Sequence, residues 1–184
     1  MQPQAALHSR NYVWSVLAPR FSAGLKDRAW ELWRLSGLDE EYGPLGENFT
    51  GERETQEMSD EIAGYLVSAM ALDTQARQIS DRTDRGVGRP RDVIIPYLGP
   101  NLLSFFLRCH DSAGRQSVLT SNAGQLAQME TGPFFNFVKT AIEPLNEVLV
   151  TELHRKPVSA ARLARYALKE RRHNLSAARR RQRH

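Results

Sequence analysis

The stretch MSDEIAGYLVSAMALDTQARQI, Met58 to Ile79, decides the fold class. Met58, Ile62, Tyr65, Ala69, Leu72, Ala76 and Ile79 follow one another at alternating spacings of four and three residues. That is a heptad seam, and only a helix brings such positions to one side. Leu66 and Met70 widen the apolar face, as in a helix that faces a core. Two uses of the face follow. It packs inside this chain, or it pairs with another helix. In the second case Met58, Ile62, Tyr65, Leu72 and Ile79 are the protein-interaction residues, and a homo-oligomer is one outcome. Gly64 costs about 1 kcal/mol against alanine unless close packing uses it.

Upstream, residues 39–61 hold nine acids and one base, Arg53, with Gly43, Pro44, Gly46 and Gly51 among them. This reads as an acidic loop over 39–57 running into the helix, where the dipole favours negative charge. Glu57 and Glu61 share a helix face at i, i+4, but no histidine joins them, so no metal site is expected. Before that loop, Leu25, Ala29, Leu32 and Trp33 predict a helix over 25–36, with Gly37 as its stop.

Downstream, 80–92 reads as a polar linker with Gly86, Gly88 and Pro90. Its Gly88-Arg89-Pro90-Arg91 resembles the Gly-Arg-Pro core of an AT-hook, which lies in the narrow minor groove of A·T DNA. Val87 stands where that motif has arginine, and Asp84 and Asp92 flank it. The stretch is therefore read as a hinge or helix lead-in. Asn101–His110 is apolar nearly all round and predicts a central buried helix, with Pro100 near its first turn. Ser117–Thr120 suits a short extended piece. Pro133 opens another helix, with the stripe Phe134, Val138, Ala141, Ile142, Leu145 and Leu149, and Pro144 predicts a kink.

Charge is distributed unevenly. Met1–Glu152 carries 14 Lys and Arg against 20 Asp and Glu, a net of −6. Leu153–His184 carries 11 against the single acid Glu170, a net of +10, and the two halves give the chain's +4. Ser159 is a natural N-cap for a helix running to about Arg172. Arg162, Arg165, Lys169 and Arg172 form one basic stripe along it, with Arg171 beside them. After Asn174 the chain ends in a basic arm holding Arg179, Arg180, Arg181 and Arg183, expected to be disordered when free.

The resulting expectation is an all-α chain: about five helices in a small bundle, with at most one short strand pair. Residues 1–152 form the mainly helical body and 153–184 the basic helix and arm. No apolar run is long enough for a membrane span, and no charged-then-apolar leader opens the chain. The single cysteine, Cys109, excludes an internal disulfide and suits a reducing cytoplasm. No phosphate-cradling loop, dinucleotide fingerprint, zinc-protease motif or nucleophile elbow is present. Cys109 and His110 are adjacent, and adjacent helix residues point about 100° apart, so they do not make a catalytic pair. No catalytic residue, cofactor or metal is assigned.

Two blocks carry a family resemblance. Gly88-Arg89-Pro90-Arg91-Asp92, followed by Thr131-Gly132-Pro133-Phe134-Phe135 with Phe137 and Val138, resembles the layout of small bacterial and prophage-associated proteins that end in a basic segment. The resemblance covers about residues 85–172. It implies a bacterial, intracellular accessory protein and assigns no activity.

Function then divides three ways. The leading expectation is a non-enzymatic, phosphate-directed nucleic-acid-binding accessory protein that uses the basic helix and arm. Arginine outnumbers lysine there, and guanidinium suits phosphate forks. An acidic protein surface is the other partner such a segment fits, the 39–61 stretch of the chain itself included. The second expectation is a protein-interaction or assembly module built on the 58–79 face. The third is an enzyme of unknown class. Membrane binding is not expected, because the apolar side of 160–168 is mostly alanine. For the linker, Arg89→Ala should change DNA affinity by no more than one ordinary phosphate contact. Binding measured on A·T-rich and G·C-rich duplexes checks this, and a selective loss on A·T-rich DNA would restore the AT-hook reading.

Overall fold

A computed structural model describes residues 13–38, 52–82, 92–112 and 133–181. These residues are mostly helical. A π-helical turn, Val13–Leu17, leads into α1 (Ala18–Lys26) and α2 (Ala29–Leu35). There follow α3 (Glu52–Arg82), α4 (Ile94–Ser112), α5 (Pro133–Ala141), α6 (Glu143–Thr151) and α7 (Ala160–Arg181). The all-α class stands. Among the described residues there are seven α-helices and no strand, rather than about five helices. The extended piece expected at 117–120 lies outside the described residues, as do the linker motif at 88–91, most of the acidic loop and Arg183.

One additional helix, α1, lies mostly ahead of the expected 25–36 helix, and the other comes from a break within an expected one. The helix expected over 25–36 is split at Asp27 and Arg28, where Arg28 leaves helical geometry at φ −110° and ψ 6°. Its guanidinium explains the break. Nη1 donates to the Gly24 carbonyl at 2.7 Å, Nε to Glu143 at 2.6 Å and Nη2 to Glu147 at 2.8 Å. Bonds to α6 thus outweigh one more helical turn. α2 ends before Gly37, whose φ of 77° is a left-handed conformation natural to glycine. The second break falls at Ile142, two residues before Pro144, which takes the second position of α6 where its missing N–H is harmless. Pro133 opens α5.

α4 starts earlier than expected, at Ile94, and keeps Pro100 in its interior. Pro96 falls in the first turn, where N–H groups have no helical partner, and the Asn101 side-chain amide donates to the Tyr97 carbonyl at 2.7 Å beside Pro100. α4 is the central element, packed by α3, α5 and α7, while α1 lies between α3 and α6. Phe105 stacks on Phe137 and Phe106 tilts against Phe134 and Phe137. Leu98, Leu102 and Phe106 are fully buried around them.

α3 shows how the heptad seam is used. Met58 and Ile62 are buried in this chain's core and Tyr65 is half-buried, but Leu72 and Ile79 are exposed. The buried face runs instead through Ile62, Leu66, Ala69, Met70 and Asp73. A heptad repeat drifts about 20° per seven residues on a straight helix. Over the length of α3 that drift turns the later seam positions toward solvent.

Gly64 has nothing within 4 Å of the position a Cβ would take. Gly64→Ala should therefore stabilise the protein by about 1 kcal/mol, the full propensity gain, raising Tm by roughly 2–4 °C. At Gly24 a new Cβ would meet the Pro144 ring at 3.1 and 3.2 Å. Gly24→Ala should gain less, or lose. Thermal denaturation of the two variants beside the wild type checks both signs.

Candidate nucleic-acid interface

The basic segment begins with a loop that is tied down at two points. After α6 the chain turns at His154, which takes a φ of 49°, a left-handed conformation histidine tolerates better than most residues. It then runs without helix to Ser159. The Asn146 side chain accepts from the Val158 N–H at 2.7 Å and donates to the Val158 carbonyl at 3.1 Å, as a neighbouring strand would.

The second tie is ionic. Arg155 places Nη1 2.6 Å and Nη2 3.3 Å from the two carboxylate oxygens of Asp73 on α3. Arg77, one turn along α3, donates to the same carboxylate at 2.8 and 3.4 Å. The Asp73 side chain is only 5% exposed. Burial alone would push its carboxyl up, but the hydrogen bonds and charges of Arg155 and Arg77 outweigh this and hold it below its ordinary value.

Ser159 caps α7: its hydroxyl accepts from the Arg162 N–H at 3.3 Å. Leu163, Ala164 and Ala167 then enter the same core as α4 and α5. The helix lies close to α4. A Cβ on Gly99 would sit 3.3 Å from the Leu163 carbonyl oxygen and 3.4 Å from both Ala167 Cβ and Tyr166 Cδ1. With one face so occupied, the opposite face is fixed toward solvent. Arg162, Arg165, Lys169 and Arg172 are all exposed there, and Arg171 is half-buried. Arg162 pairs with Asp92 at 3.3 Å. Among the described residues no carboxylate pairs with Lys169 or Arg172.

α7 does not stop near Arg172. It continues to Arg181 as one helix and carries Arg179, Arg180 and Arg181 in its last turn. No glycine or proline interrupts 160–181, and adding residues to an existing helix costs far less than starting one. The sequence signals for this extension, Leu175, Ala177 and Ala178, are good helix formers placed between the arginine clusters.

The interaction residues on α3 do not form one surface. Met58 and Ile62 are inside the core. The Tyr65 hydroxyl donates to Glu61, which also takes Arg108 from α4. Burial and then the Glu61 carboxylate push that hydroxyl up to about 12. Leu72 and Ile79, 40% and 57% exposed, are left on the surface one heptad apart. No three His, Cys, Asp or Glu side chains among the described residues are grouped to hold a metal ion, and no described helix is long and apolar enough to cross a membrane.

Sequence reading assigned roles to the cations and missed the groups that hold them in place. Asp73 stands beside Leu72 in an apolar stretch, four residues before Arg77. That much hints at a helix-surface pair, but Arg155, 82 residues away, leaves no local sign. Because the folded-state pKa of Asp73 is lowered, its stabilising effect is present above the ordinary carboxyl value near 3.8 and is lost as pH falls through the lower folded value. Asp73→Asn should cost on the order of 2–3 kcal/mol, somewhat below the loss for a wholly buried pair since both arginines keep access to water. It should also flatten acid unfolding below about pH 4. Urea titrations at neutral and acid pH check both.

Comparison with protein-family models, with curated proteins and with solved structures gives no match, so the functional reading rests on this geometry.

Proposed function

We propose that this chain is a non-enzymatic nucleic-acid-binding accessory protein whose interface is the solvent face of α7. The observation that carries the reading is the placement of Arg162, Arg165, Lys169 and Arg172 on the side of α7 opposite Leu163, Ala164 and Ala167. The apolar side is held in the core, so the cations face outward in a fixed row without further ordering. They need not be gathered from a flexible chain on binding, which lowers the entropy cost of association.

The affinity comes from counterion release at phosphates and is largely independent of sequence. Arg162 contributes less than Lys169 or Arg172, because Asp92 already faces it. Residues 1–152, at a net of −6, repel the same polyanion, so contact is confined to α7 and its end. The protein would act in the cytoplasm of a bacterial cell, as the resemblance of its two short motifs to those of prophage-associated proteins implies.

A second reading is a protein-interaction module, with an acidic protein surface on α7 or an apolar partner on α3. Leu72 and Ile79 favour it, as two large apolar side chains exposed on one helix. Their separation by seven residues suits a helical partner, a second copy included.

The basic helix shares the core, so deleting 153–184 would remove Leu163, Ala164 and Ala167 and unfold the body as well. The test is therefore substitution. Lys169→Gln with Arg172→Gln should leave thermal stability within about 0.5 kcal/mol, as exposed sites do. It should lower the salt slope of duplex binding by about 1.8, near 0.9 per phosphate contact removed. An unchanged slope, or a wild-type chain that binds no nucleic acid at low salt, would refute the reading.

A further inference from the structure

We infer that the protruding end of α7 inserts into the major groove of B-form duplex DNA. The inference rests on the phosphate-binding reading of α7 and goes beyond it by naming the form of nucleic acid. α7 has two dissimilar halves. Through Ala167 one face is in the core. From Arg172 to Ser176 every residue is exposed, and Leu175 is 50% exposed where a docked helix would bury it. Over 172–176 the helix therefore has no buried side, and it continues to Arg181. At 1.5 Å per residue, Arg172–Arg181 extends about 15 Å.

Charge changes character at the same point. The packed half has a one-sided stripe, and Glu170 beside it is the last acid of the chain. From Arg171 to Arg181 there are five arginines and no acid. Arg171 and Arg172 are successive helix positions, about 100° apart around the axis, and 179, 180 and 181 are three successive positions of the same helix. Cations thus occupy positions around the axis and not one row.

A one-sided row suits a single line of phosphates. Cations around an axis suit a groove with phosphates on both walls. The major groove of B-DNA is about 12 Å wide and admits an α-helix, whereas its minor groove, about 6 Å wide, does not. The major groove of A-form RNA is too deep and narrow for it, and a single strand offers one phosphate line. Between the two arginine clusters lie His173, Asn174, Leu175, Ser176, Ala177 and Ala178, and from Leu175 to Ala178 no side chain is larger than leucine, so the backbone can approach the groove floor there. Like charges close together weaken this end of the helix in isolation, and phosphate walls relieve the repulsion.

The experiment measures the full chain at low salt by fluorescence anisotropy on four probes of one sequence: duplex DNA, duplex RNA, single-stranded DNA, and duplex DNA with glucosylated 5-hydroxymethylcytosine filling the major groove. Unmodified duplex DNA should bind at least about tenfold tighter than duplex RNA and than the filled duplex. Distamycin in the minor groove should change affinity by less than about twofold. Leu175→Pro, placed outside the core, should keep the fold and most salt-dependent binding but lose the preference for unmodified duplex DNA. Equal binding to duplex RNA and to the filled duplex, with the salt slope intact, would overturn groove insertion and leave phosphate binding standing. Retention of the preference by Leu175→Pro would overturn it equally. Absence of binding to every probe would overturn both readings.

Discussion

The close crossing of α4 and α7 at Gly99 governs what α7 can do. Gly99 of α4 faces the Leu163 carbonyl and Ala167, and its missing side chain lets the two helix backbones come together. The apolar face of α7 is small, mainly one leucine and two alanines fully buried. Such a face holds a helix only at short range, where dispersion contacts are many. If α4 carried a larger residue at 99, α7 would stand off and its few apolar groups would lose their partners. The cation row owes its fixed direction to that crossing. Asp73 and Asn146 serve the same end from outside the helix, by anchoring Arg155 and Val158 just ahead of it.

Much of this was legible from residues alone, in identifiable places. Ser159 and Pro133 announced helix starts through local chemistry, and Gly37 announced a stop, because caps and fixed φ values act within a few residues. Phe105 and Phe106 marked α4 as central by being apolar all round. What failed to show was non-local. Arg28 breaks a helix because Glu143 and Glu147 wait more than a hundred residues later. The seam on α3 was read at a period of 3.5, whereas a straight helix turns at 3.6, so Leu72 and Ile79 were grouped with Met58 although the core takes Asp73's side instead. The basic stripe itself was visible, since the spacing of Arg162, Arg165, Lys169 and Arg172 fixes one side of any helix. That the helix runs on to Arg181 depends on the helix formers Leu175, Ala177 and Ala178 following a docked nucleus, and the docking itself is non-local.

The two arginine populations illustrate how context divides one side chain into two roles. Arg28, Arg77, Arg108 and Arg155 face carboxylates of their own chain; Arg77 does so within α3, and the other three tie separate elements together. Lys169 and Arg172 meet no such carboxylate among the described residues. The difference follows from where acids stop. Glu170 is the last of them, so no acid follows it to pair at i, i+3 or i, i+4 with the arginines of the last turns.

That segregation also sets how a polyanion is approached. The net charge is −6 ahead of residue 153 and +10 after it, so the two parts of the sequence differ strongly in sign. If α7 binds phosphate as proposed, a phosphate surface would attract its end and repel the acidic remainder of the chain, so long-range forces would favour encounters with that end foremost. Screening confines this steering to roughly 10 Å at ordinary ionic strength, comparable with the reach of the protruding turns. The helix end is thus the first part to feel phosphate and the part with fewest internal obligations. The stretch from Arg172 to Ser176 makes no core contact to lose. Affinity gained there costs the body nothing in packing, whereas the same cations on α3 or α4 would have to be accommodated against Phe105, Phe137 and their neighbours.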